Sequence, residues 1–113
     1  MRPDEILLLD MLLAAREAVE FLRRSSLEEF EGDRMRQLAV VKSIEVIGEA
    51  ASRISDSFRD AHPELPWRDI VGMRHRLVHG YFEINLRWVW QTVEEDLPEL
   101  IAVVEKLVPP EEG

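Results

Sequence analysis

Residues 34–61, RMRQLAVVKSIEVIGEAASRISDSFRDA, place apolar side chains at Leu38, Val41, Ile44, Ile47, Ala51, Ile54 and Phe58, a recurrence every three or four positions. That is the period of an α-helix, and a stripe of this length has to be buried against other elements. The other side of the same segment is highly charged, so one face meets a core and the other meets water. Asp33 is placed to cap its start. Pro63 and Pro66 stop it, because proline cannot donate its part of the helical ladder.

The same spacing extends in both directions. Upstream, Leu8, Met11, Leu12, Ala15, Val19 and Leu22 form an apolar face on a helix that starts after Asp4 as N-cap and runs to about Arg24. Ser25 and Ser26 end it. Ser26 and Glu29 match a capping box, which predicts a short helical turn over Leu27 to Phe30 before Gly32 breaks the chain. Downstream, Pro66 suits the first turn of a third helix, from about Trp67 to Val78, with His79-Gly80 as its terminus. Asn85 is placed to cap a last helix carrying Leu86, Val89, Trp90, Val93, Leu97, Leu100, Ile101 and Val104, bent at Pro98. No sustained alternation and no Asn-Gly or Asp-Gly turn signals a strand ladder. The expected fold is all-α, a four-helix up-and-down bundle in a single domain over residues 1–113, with a frayed tail over about 109–113. Trp67, Phe82, Trp88 and Trp90 concentrate more aromatic area near one loop than a polar loop needs, which points to a dimer interface, with core packing within the monomer the plainer reading of each ring.

Composition narrows the function classes. The chain has no cysteine, so neither a disulfide framework nor a thiolate metal site is available, and a reducing cytoplasm suits it. The apolar run from Ile6 to Ala15 is interrupted by Asp10 and is far shorter than a bilayer span, so it reads as a helix face. A formal charge of −9 argues against diffuse binding to nucleic acid. The charge is uneven, however. Arg68, Arg74, Arg76 and Arg87 face only Asp69 and Glu83 in their stretch, which predicts a local cationic site on an acidic protein.

Within that stretch lies the octet RHRLVHGY, residues 74–81. Arg74 is a permanent cation able to stabilise phosphate charge, His79 can move a proton near neutral pH, and Tyr81, the chain's one tyrosine, offers a hydroxyl. Together they suggest chemistry on a phosphodiester, with His75 and Arg76 in support. On one continuous helix Arg74 and His79 would stand about 140° apart. They converge only if the helix ends near Val78 or a second subunit helps. Taken singly, each has a plainer reading: Arg74, Arg76 and His79 complement a helix dipole, and Tyr81 is a half-buried ring. His75 and His79 also have the spacing of a metal-binding pair, but no third ligand stands nearby, so no metal and no cofactor is expected.

The octet and its surroundings, PWRDIVGMRHRLVHGYFEIN and then VWQTVEEDLPEL, together with DRMRQLAVVKSIEVIGEAA, resemble the HEPN superfamily and within it the HepT-like ribonuclease toxins. The likeness spans nearly the whole chain. It implies a four-helix protein that dimerises so that the Arg and His of two copies line one cleft and cut RNA without metal. The motif falls on Arg74, His79 and Tyr81. The implied partner is a minimal nucleotidyltransferase antitoxin that silences the toxin by transferring AMP to the motif tyrosine, here Tyr81. Residue 75 departs from the pattern, with histidine where such toxins usually carry asparagine.

The leading expectation is therefore a metal-independent endoribonuclease toxin acting as a homodimer on RNA in the cytoplasm, with Arg74 and His79 at the reacting phosphate. The alternative is a non-catalytic helical module in which Arg74, His75 and Arg76 hold a nucleotide or a partner protein. A purely structural dimer is a third possibility.

Overall fold

The computed structural model describes residues 3–79 and 83–109, the side chains of Val78 and His79 excepted. Helices α1 (Pro3–Leu22), α2 (Leu27–Glu31), α3 (Arg34–Arg53), α4 (Asp56–Ala61) and α5 (Trp67–Arg76) precede a two-residue strand pair, β1 (Val78–His79) and β2 (Glu83–Ile84). Helix α6 (Leu86–Gln91) then runs through a π-helical turn, Thr92–Asp96, into α7 (Leu97–Leu107). The fold is all-α. Four helical units, α1, α3, α5 and the continuous α6–α7, build the bundle, and α2 and α4 are short connectors.

The core follows the apolar stripes. Leu8, Met11, Ala15 and Leu22 of α1 meet Val41, Ile44, Ile47 and Ala51 of α3, with Ile70 and Leu77 from the α5 side and Val89, Val93, Leu97, Leu100 and Val104 from the last unit. Leu38, expected on the buried stripe, is 50% exposed, and Gln37 and Val40 turn inward in its place. Gln37 is buried because its Nε2 donates to the carbonyls of Phe30 and Glu31, at 2.9 and 3.0 Å, tying α2 to α3. A polar side chain can sit there only because its donors are used.

Local signals explain most boundaries. The capping box of Ser26 and Glu29 is formed in full, and Asp33 accepts from the Arg36 N–H to start α3. The structure corrects several boundary expectations. Asp4 lies within α1, and its carboxylate reaches the far end of α3, accepting from the Ser55 N–H at 2.9 Å and hydroxyl at 2.7 Å. This contact runs α1 and α3 antiparallel.

Second, the long helix does not continue to Ala61. It stops at Arg53, and Ser55 caps the separate helix α4. The Arg59 guanidinium folds back to donate to the carbonyls of Ala51, Ser52 and Ile54, where the helical ladder of α3 runs out. Third, α5 ends at Arg76, before the His79-Gly80 terminus the sequence predicts. The returning chain takes its last carbonyls: the Asn85 N–H donates to Leu77 O at 2.7 Å and Asn85 Nδ2 to Arg76 O at 3.3 Å. Asn85 thus closes α5, and its side chain makes no capping bond to α6.

Of the aromatic residues around the loop, Trp67 is absorbed by the chain itself. It is buried, edge-on to Phe58, with its indole N–H donating to His62 O at 2.9 Å. Trp90 is half-buried and tilted against Phe30 at 5.9 Å. Trp88 is half-buried beside Met73 and Leu100. Phe82 lies outside the described residues.

Candidate active site

Helix α5 presents Arg74, His75 and Arg76 in its last turn, each rotated about 100° from the one before. That rotation divides them. Arg74 and His75 line a groove of about 520 Å3 between α1, α3 and α5, together with Asp10, Lys42, Glu45 and Arg53. Arg76 turns to a second groove, of about 270 Å3, where Asp69, Asp96 and Glu99 surround an apolar floor that includes Met73 and Trp88. Arg68 lies in a third depression with Asp56, Arg59 and Asp60. The basic stretch of sequence is therefore not one cationic surface, and each of these arginines shares its depression with carboxylates.

Arg74 is fixed across the helix pair. Its Nη1 donates to Glu49 Oε2 of α3 at 2.8 Å, with the two side chains 43% and 56% exposed. Gly48, the residue before, lies where the two helices cross. A Cβ placed there would stand 3.5 Å from the carbonyl oxygens of Ile70 and Val71 and 3.8 Å from Arg74 Cβ. The guanidinium therefore projects from a tightly packed crossing of α3 and α5, where a flexible loop would have left it wandering. A fixed planar cation in an open groove is suited to a phosphate group.

His79 pairs through its backbone with Glu83, in the register that also sets Val78 opposite Ile84. Because α5 stops at Arg76 and Leu77 is buried, the chain leaves the helical path before His79. That is the condition under which Arg74 and His79 can approach one ligand. The His79 side chain and all of Tyr81 lie outside the described residues. Among the described residues no three His, Asp or Glu side chains are grouped as metal ligands. Nor, among the described residues, is any helix long and apolar enough to cross a membrane.

Sequence reasoning about the octet missed Glu49 and Gly48. The signal was present, since both lie in the IGEA segment that carried part of the family resemblance. Periodicity could not reveal that this segment crosses the octet's own helix.

Comparison with known proteins places the chain. The description Ribonuclease HepT-like matches residues 11–107. A Thermococcus cleftensis protein called "Probable ribonuclease HepT" is 44% identical over 78% of this chain and 80% of its own length. A Methanocaldococcus jannaschii protein provisionally named an RNase is 36% identical over 92% of this chain and 95% of its own. A Caldanaerobacter subterraneus protein, also provisionally named an RNase, is 38% identical over 80% of each chain. No solved structure matches. With nearly all of the helical core inside the matched segment, the chain belongs to the HepT-like ribonuclease family of the HEPN superfamily.

Proposed function

We propose that the chain is a metal-independent endoribonuclease, the toxin of a toxin–antitoxin pair, and that it works as a homodimer whose shared cleft holds Arg74 and His79 of both copies. The observation that carries this reading is the Arg74 guanidinium, held by Glu49 at 2.8 Å over a groove that also takes His75, at the point where α5 gives way to His79. The names of the relatives support RNA as substrate.

In the reaction, His79 takes the proton of a ribose 2′-hydroxyl as the 2′-oxygen attacks the adjacent phosphorus. The bond from phosphorus to the 5′-oxygen breaks, and that oxygen leaves with a proton returned by an imidazolium. The products are a 2′,3′-cyclic phosphate and a 5′-hydroxyl. Arg74 stabilises the charge that builds on the phosphoryl oxygens in between. Positioned proton transfer contributes roughly 10²–10⁴-fold and preorganised charge a comparable factor, so these two groups suffice for a slow but damaging nuclease. His75 and Arg76 would support binding, with His75 in the same groove as Arg74 and Arg76 on the neighbouring one.

Regulation would act on Tyr81. A nucleotidyltransferase antitoxin moves AMP from ATP to the tyrosine oxygen with release of pyrophosphate, placing negative charge and bulk beside Arg74 and His79. This fits a cytoplasmic system in which toxin and antitoxin meet soon after synthesis.

The test is cleavage of RNA by the purified chain in excess EDTA, compared with Arg74→Ala and His79→Ala. Each variant is expected to lose at least about 10²-fold in kcat. Unchanged cleavage in either removes that residue from the mechanism. Salt-sensitive nucleotide binding without any cleavage would establish the non-catalytic module instead.

A further inference from the structure

Glu49 has no part in the reaction as written, yet it makes the one side-chain hydrogen bond that Arg74 has among the described residues. Its neighbours have evident structural roles: Ile47 and Ala50 are buried, and Gly48 lets α3 lie against the backbone of α5. Glu49 itself is 56% exposed in its side chain and faces the groove. An exposed ion pair adds little to stability. Its effect on where Arg74 points is a separate matter.

We infer that Glu49 is a positioning residue for Arg74, holding the guanidinium in the orientation that receives the phosphate. The inference rests on the reading of Arg74 as the phosphate-stabilising cation. The carboxylate engages Nη1 alone, and a guanidinium carries five donors in a rigid plane, so the remaining edge is free to form a paired contact with two phosphoryl oxygens. An arginine 43% exposed and without such a partner would spread over many rotamers. Tethered to a second helix at a close crossing, it keeps one. Helices α3 and α5 are in extensive contact, and Gly48 lies at their crossing directly beside this pair. The carboxylate and the guanidinium are therefore fixed relative to each other by the bundle.

Steady-state cleavage of a short single-stranded RNA by the full purified chain tests this, using Glu49→Ala, Glu49→Gln, Arg74→Ala and the double variant Glu49→Ala/Arg74→Ala, with thermal melts of each. Glu49→Ala is expected to lower kcat about tenfold, with KM within about twofold and the melting temperature unchanged. Glu49→Gln should recover most of that loss, because its amide oxygen accepts the same hydrogen bond. The double variant should be no worse than Arg74→Ala, since no guanidinium is left to orient.

Wild-type kcat in Glu49→Ala overturns the inference. So does a raised kcat, which would mean that Glu49 competes with RNA for Arg74, and so does full additivity in the double variant. Should Glu49→Ala melt early, the isosteric Glu49→Gln decides alone, and a tenfold loss there refutes hydrogen-bond positioning. Failure of the underlying reading looks different: either the wild-type chain cuts no RNA or Arg74→Ala cuts it normally. An impaired Arg74→Ala beside an unimpaired Glu49→Ala refutes the role of Glu49 alone.

Discussion

Asp96 closes the π-helical turn with three other carboxylates close by. Partial burial, and then the charges of Glu95, Glu99 and Asp69, raise its carboxyl above the ordinary value of 3.8. The folded chain therefore keeps a proton on Asp96 at a pH where the unfolded chain has released it. Between the ordinary value and the raised one, stability falls as pH rises, and above that window the penalty stays constant. Asp96→Asn removes the charge and keeps the shape. It should melt higher than the parent at pH 7, by about 1–3 °C for a group still largely open to solvent. The gain should shrink to nothing as the pH is lowered below 3.8. Melting curves from pH 3.5 to 7.5 check this, and a constant or negative difference across the range would contradict the account of Asp96. The sequence shows Asp96 beside Glu95 and close to Glu99, but Asp69 joins them only through the fold. Legibility at the site ran the same way. The octet marks Arg74 and His79 by residue type and spacing, whereas Glu49 is invisible from the octet because its contact with Arg74 spans two helices.

At the scale of elements, Gly48 sits at the α3–α5 crossing beside the Glu49–Arg74 contact. A methyl group there would meet the carbonyls of Ile70 and Val71 at ordinary contact distance, 3.5 Å, so alanine fits without moving α5. It would also remove the helix penalty of glycine, about 1 kcal/mol. Gly48→Ala should thus raise stability by about 0.5–1 kcal/mol and keep RNA cleavage near the parent level. Gly48→Leu has no room and should cost about 1–3 kcal/mol, with a loss of cleavage as α5 is pushed from α3. Urea unfolding with a parallel activity assay measures both, and a destabilised Gly48→Ala would show the crossing to be tighter than the geometry implies. Elements defined by local chemistry were readable in advance, as with the Ser26–Glu29 box and the Asp33 cap. The break at Ile54–Ser55 was not, because Ile54 and Phe58 continue the apolar spacing while the stop is made by Arg59 returning to the carbonyls of Ala51 and Ser52. The sequence predicts a bend of the last helix at Pro98. It lacks the N–H that Glu94 O would accept, and the chain takes a wider π turn just before it.

For the molecule as a whole, an acidic chain of net charge −9 has to gather enough positive charge at one point to hold an RNA phosphate. The fold of one copy works against this. It sends Arg68, Arg74 and Arg76 into three depressions, each also lined by carboxylates. The proposed symmetric dimer would resolve the difficulty, since the same Arg74 and His79 entering one cleft from two copies would double the local cation count without changing the chain. The consequence can be measured with two inactive variants. An Arg74→Ala homodimer would keep two imidazoles and no guanidinium in the shared cleft, and a His79→Ala homodimer the reverse. Co-expressed with different tags and purified through both, the mixed dimer holds one intact Arg74 and one intact His79, on opposite copies. It should cleave RNA at a rate well above either parent variant. If native mass spectrometry confirms the mixed dimer and cleavage stays at the level of the variants, each copy works with its own pair of residues and the shared cleft is refuted. If the parent chain sediments as a monomer at concentrations where it cleaves fully, the dimer has no part in the reaction.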